Sequence, residues 1–119
     1  MIIIESLDHI NIRAIDVEKS VEFYTMFLDF ELVSQDEKSA LVSFDNLTLK
    51  LIKAEKAAES DSSFPLLSFI MDVNDFTDAL QEIEEQGYDI AAGPSEVSNG
   101  ENVIVRDPGG NLLELYYQD

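Results

Sequence analysis

Asp8-His9-Ile10-Asn11-Ile12-Arg13 alternates polar and apolar side chains, and beyond Asp16 the run Val17-Glu18-Lys19-Ser20-Val21-Glu22-Phe23-Tyr24 abandons that alternation for a helical period. The first pattern is that of a half-buried strand. In the second, Val17, Val21, Tyr24 and Leu28 recur at helical spacing, Phe23 and Phe27 widen the stripe, and Asp16 is placed to cap the helix. Short strands follow at Glu31 to Gln35, Ser39 to Phe44 and Leu47 to Lys53, the last two joined by a tight Asp45-Asn46 turn. The second half repeats the order. Ser68 to Val73 reads as a strand, and Asn74 or Asp75 as the cap of a helix carrying Phe76, Ala79, Leu80 and Ile83, with Gly87 at its end. Strands near Asp89 to Ala92 and Asn102 to Arg106 lead through Asp107-Pro108-Gly109-Gly110-Asn111 to a last strand, Leu112 to Tyr117. Each half is strand, helix and three strands, so the chain is an internal duplication.

The fold class is therefore α+β: two βαβββ modules, about 1–53 and 66–119, joined by a polar linker at 53–65 and counted as one domain over 1–119. A module of about 55 residues with one helix over its sheet is too small to stand alone. We expect the two to combine into a curved mixed sheet, helices on the outer face and the opposite face around a cavity. The linker decides whether the pairing lies within one chain or across a dimer.

Composition narrows the function. The chain has 119 residues, no Cys and no Trp, which excludes disulfides, thiolate metal sites and a cysteine nucleophile. Seven basic against 25 acidic side chains leave a net charge of −18, which repels phosphate backbones and anionic lipid and argues against nucleic-acid or membrane partners. The same charge favours solubility and would draw in a cationic guest. No apolar run is long enough to span a bilayer, and Met1-Ile2-Ile3-Ile4, lacking a basic start, does not read as a signal peptide; a cytoplasmic protein is expected.

Leu7-Asp8-His9-Ile10, Asp16 to Tyr24, and Arg106 to Leu115 (Arg-Asp-Pro-Gly-Gly-Asn-Leu-Leu-Glu-Leu) resemble the glyoxalase, bleomycin resistance and extradiol dioxygenase superfamily, also called the vicinal oxygen chelate fold. The resemblance runs from Leu7 to Tyr117. It implies paired βαβββ modules, often in homodimers, with a divalent metal in the enzymes and a bare ligand pocket in resistance-type binders. It also implies four metal-ligand positions, two per module, which here read His9, Lys50, Ser68 and Glu114. Alternation puts these residues, with Asn11 and Tyr116, on the helix-free faces.

As a ligand set the four depart from the family pattern. A catalytic divalent site wants about three protein ligands; His9 and Glu114 qualify, Ser68 is a weak neutral donor, and the Lys50 ammonium has no lone pair. We therefore expect a metal-free, small-molecule-binding pocket, with Glu114 ion-paired to Lys50 or bonded to His9. The alternative is a metal-dependent (Ni, Zn, Fe or Mn) lyase, isomerase or dioxygenase in which Glu114 moves the proton and His9 assists. A third reading is an interaction domain with a vestigial pocket.

Other residues are assigned more ordinary roles. Arg106 is expected to pair Asp107 or a loop carbonyl, and Phe23, Tyr24 and Phe27 to fill the core. Phe64 and Pro65 stand where they would cap a cavity mouth. Gly109-Gly110 is turn chemistry, since no helix follows to cradle a phosphate. No P-loop, dinucleotide fingerprint or nucleophile elbow is present.

Overall fold

The structure, a computed structural model, describes residues 1–118 and divides into two compact units, Met1–Ala57 and a second beginning at Ala58. The first unit contains β1 (Ile10–Ala14), α1 (Val17–Glu22), β2 (Glu31–Gln35), β3 (Ser39–Phe44) and β4 (Leu47–Lys53). The second contains β5 (Leu67–Ile70), α2 (Phe76–Glu85), β6 (Asp89–Val97), β7 (Gly100–Arg106) and β8 (Leu112–Gln118). Each forms one four-stranded mixed sheet, and the strand orders β1-β4-β3-β2 and β5-β8-β7-β6 are the same permutation. In both, the first strand lies parallel to the last and the remaining pairs are antiparallel. The duplication read from hydrophobic period is thus a duplication of topology.

Alternation delivers one apolar face per sheet. In unit 1, Ile12, Ala14, Ala40, Val42, Leu49 and Leu51 are buried beneath α1, whose Val17, Ser20 and Val21 face them. Asp16 caps this helix by accepting from the Lys19 amide at 3.2 Å. Beyond Glu22 the chain widens into a π-helical turn over Phe23–Phe27, with the Leu28 amide bonded five residues back to Phe23 O. The wider turn brings Phe23 and Tyr24 inward together, and both are buried. It also ends the stripe early: Leu28 is extended and half-buried, and Phe30 closes the core instead, its ring 5.5 Å from Tyr24.

Unit 2 follows the same plan with a regular helix. Asp75 caps α2 through the Thr77 amide at 2.8 Å; Phe76, Ala79 and Ile83 are buried on Val103, Val105, Leu113 and Leu115. Gly87 takes the left-handed conformation (φ 76°) that ends the helix. The β7–β8 turn is closed by the buried Asp107 carboxylate, which accepts from the amides of Gly109 (3.0 Å) and Asn111 (2.8 Å).

Three expectations are corrected. The first strand begins at Ile10, so His9 precedes it, and β5 ends at Ile70, well short of Val73. Strand β6 runs on to Val97 through register shifts on either side of Ala92. Within the segment 53–65, the Ala58 amide bonds Gly109 O at 2.9 Å, and the Ser60 hydroxyl bonds Gly110 O at 2.8 Å.

Candidate functional site

The helix-free faces carry Asn11 and Lys50 in unit 1 and Ser68, Glu114 and Tyr116 in unit 2, while His9 precedes β1. In unit 2, register places Ser68 directly across from Glu114 on the parallel β5–β8 pair. The Ser68 hydroxyl donates to Glu114 Oε1 at 2.7 Å, and the Asn102 side-chain amide donates to Oε2 at 2.5 Å. Both oxygens of a half-buried carboxylate are thereby oriented and partly compensated for their desolvation. Tyr116, next on the same face, is held by its hydroxyl donating to Ser98 O at 2.6 Å.

Asn102 was not among the expected site residues. It lies opposite Tyr116 in the antiparallel β7–β8 ladder, diagonal to Glu114. Its signal in the sequence is only its alternation with Val103. Which strand it meets, and at what register, is set by the turn at 107–111.

In unit 1, Lys50 occupies the last strand as Glu114 does in unit 2. Leu49-Lys50-Leu51 parallels Leu113-Glu114-Leu115, with all four leucines buried. The residue across from Lys50 on β1 is Asn11, and His9 lies two positions earlier, outside the strand. Two residues of strand are about 6.6 Å, so His9 is offset along the strand direction from the Lys50–Asn11 pair. Its Nδ1 is 2.7 Å from Asp8 Oδ2. Among the described residues, the Lys50 side chain has no hydrogen bond or ion pair. Within unit 2, both oxygens of Glu114 are engaged by Ser68 and Asn102.

Arg106 bonds Asp89 Oδ2 at 3.2 Å and Ser60 Oγ at 3.3 Å, not Asp107. Asp107 is turned inward to serve its own turn, which leaves the guanidinium to the neighbouring strand. Phe23 and Tyr24 are core, as expected, whereas Phe64 is largely exposed.

The divalent-metal test turns on the donor set. The four positions offer one imidazole, held by a neighbouring carboxylate, and one carboxylate with both oxygens engaged, alongside a hydroxyl and an ammonium. Among the described residues no three His, Asp or Glu side chains gather as a metal group would need. By their chemistry, only the imidazole and the carboxylate of these four are good donors, one short of the three protein ligands of a catalytic divalent centre. Open hollows beside the helix N-caps, lined in part by Asp16, Glu18 and Asp36 in one unit and by Asp72, Asp75 and Asp78 in the other, hold carboxylates without an imidazole. Asp36 has its carboxyl held below the usual range, first by the Lys38 amide and then by that of Ser39.

Two four-stranded sheets of identical topology, each with one helix and a polar face centred on the last strand, define a paired βαβββ protein. The chain belongs to the Glyoxalase/Bleomycin resistance protein/Dioxygenase superfamily, matching it over residues 6–115. It is 30% identical over 122 residues to the virulence protein STM3117 of Salmonella typhimurium, covering 95% of this chain and 84% of that protein. The crystal structure of that relative superposes with a TM-score of 0.71 over 99% of this chain and 100% of its own. The metallothiol transferase FosB of Staphylococcus haemolyticus is 25% identical over 116 residues, covering 95% of this chain and 84% of the transferase. The fosfomycin resistance protein FosX of Listeria monocytogenes has the same fold, with a TM-score of 0.80 at 17% identity over 98% of this chain and 96% of its own.

Proposed function

We propose that this chain is a small-molecule-binding member of the glyoxalase/bleomycin resistance group whose helix-free faces take up an organic ligand without a divalent metal. The observation that carries the reading is the exchange of Glu114 in one unit for Lys50 at the matching point of the other. An ammonium there gives no lone pair and repels a dication. His9, Asn11, Lys50, Ser68, Glu114 and Tyr116 are the proposed ligand contacts, and Asn102 positions Glu114. The net charge of −18 supplies a long-range attraction for a basic guest. A cytoplasmic homodimer is the proposed working form.

A second reading is favoured by the metallothiol transferase among the relatives. In it, His9 and Glu114 serve a metal-dependent lyase, isomerase or dioxygenase reaction, with Glu114 as proton carrier. Metal analysis of protein purified without chelator separates the two. We expect Ni, Zn, Fe and Mn far below one per chain, and ligand-induced thermal shifts that survive EDTA. Near-stoichiometric metal that is lost in His9→Ala or Glu114→Gln would overturn the binding reading. A broad ligand screen giving no thermal shift would overturn it too, in favour of an interaction domain.

A further inference from the structure

The helix-free face of unit 1 is built for negative charge. On this face β1, β3 and β4 present Arg13 and Lys50 and no acidic side chain, with Glu31 on the outer strand opposite Ser43, while Lys53 alternates to the helix side with Leu49 and Leu51. Lys50 is half-buried at the centre of this face, with Asn11 across from it and Thr48 two residues along its own strand. Among the described residues, neither the Lys50 ammonium nor the Asn11 side-chain amide has a hydrogen-bond partner. Lys50 is thus a half-buried cation, beside an exposed Asn11 amide, with its hydrogen bonds open to an incoming acceptor.

The nearest candidates within the unit do not serve. Asp36 feels the charge of Lys50, but its Oδ1 accepts the amides of Lys38 (2.8 Å) and Ser39 (2.9 Å). Glu31 lies on the exposed outer strand, opposite Ser43.

We propose that Lys50 and Asn11 form an oxyanion receptor, taking a carboxylate or phosphate group of a small organic ligand. The inference rests on the small-molecule reading above and departs from its basic guest at unit 1, where the group recognised at contact is anionic. Three ammonium hydrogens and two amide hydrogens make charge-assisted bonds to such a group, which are stronger than neutral ones. The overall negative charge does not prevent this, because at physiological salt it is screened beyond about 8 Å, whereas the receptor acts at hydrogen-bond range.

The test is an NMR titration of 15N-labelled protein at constant ionic strength with sodium acetate, inorganic phosphate and tetramethylammonium chloride in parallel. Acetate or phosphate should move the Asn11 side-chain resonance and the amides of residues 49–51 saturably, and tetramethylammonium should not. Which anion binds more tightly distinguishes the carboxylate source from the phosphate source. Lys50→Met should weaken the response about tenfold or more, Lys50→Arg should keep it, and Lys53→Met should leave it unchanged. The spectrum of each variant reports its folding directly. Equal affinity in Lys50→Met, or shifts confined to other basic residues, would overturn the receptor. A neutral or cationic compound binding this face equally well in Lys50→Met would remove the oxyanion inference and leave the small-molecule reading standing. A fragment screen that moves no resonance of β1 or β4 would remove both.

Discussion

Ser20 shows how a single polar atom can be misplaced at little cost to the fold. Its hydroxyl is buried on the inner face of α1 and is without a hydrogen-bond partner. Its burial follows from helical spacing, one residue before Val21 and three after Val17. Because an unsatisfied buried hydroxyl is unfavourable and alanine is the better helix former, Ser20→Ala should stabilise the protein by about 0.5–1.5 kcal/mol, read as a higher urea midpoint at unchanged slope. A loss of stability would mean that the hydroxyl has a partner. Glu114 is the opposite case, a carboxylate whose two oxygens are both spoken for. Strand alternation made its face legible, but not its partners. Ser68 and Asn102 are 46 and 12 residues away, and no local pattern encodes such a meeting.

At the scale of elements, β2, β3 and β4 have the bounds read from the sequence, and β3 and β4 keep its alternation, whereas β2 is exposed throughout and shifts register between Leu32 and Ser34. Departures occur where the backbone inserts a residue. The π-helical turn after Glu22 exchanged Leu28 for Phe30 in the core, and register shifts lengthened β6. Two glycines give a contrast in cost. A Cβ on Gly100 would stand 1.9 Å from Tyr117 O, so the β7–β8 pair itself must separate. Gly87 has open space around it and only its left-handed φ to lose. Gly100→Ala should therefore cost more than about 3 kcal/mol, and Gly87→Ala about 1 kcal/mol, in chemical denaturation. Comparable losses at both positions would show that β7 and β8 can part locally at that end.

For the molecule as a whole, −18 over 119 residues is a standing self-repulsion. Added salt should relieve it, so the melting temperature should rise steadily between about 10 mM and 500 mM NaCl as the Debye length shrinks from about 30 Å towards a few ångströms. A flat or falling dependence would mean that attractive charge pairs, such as Arg106–Asp89, dominate. The repeat was the most legible global property, since each half carries its own strand, cap, helix stripe and turn signals.

Sequence by itself determined the duplicated βαβββ plan, the buried and polar faces of each sheet, and the poverty of metal donors at His9, Lys50, Ser68 and Glu114. The first two follow from side-chain period, which is local; that those four positions are the ones to compare as ligands is what the family resemblance implies. Only the tertiary structure decided that Asn11 rather than His9 faces Lys50, that Asn102 completes the grip on Glu114, and that Arg106 turns to Asp89. Those outcomes depend on strand register, where a shift of one or two residues reassigns every neighbour. Register is fixed by the packing of a whole sheet against its helix, beyond the reach of any short stretch of chain.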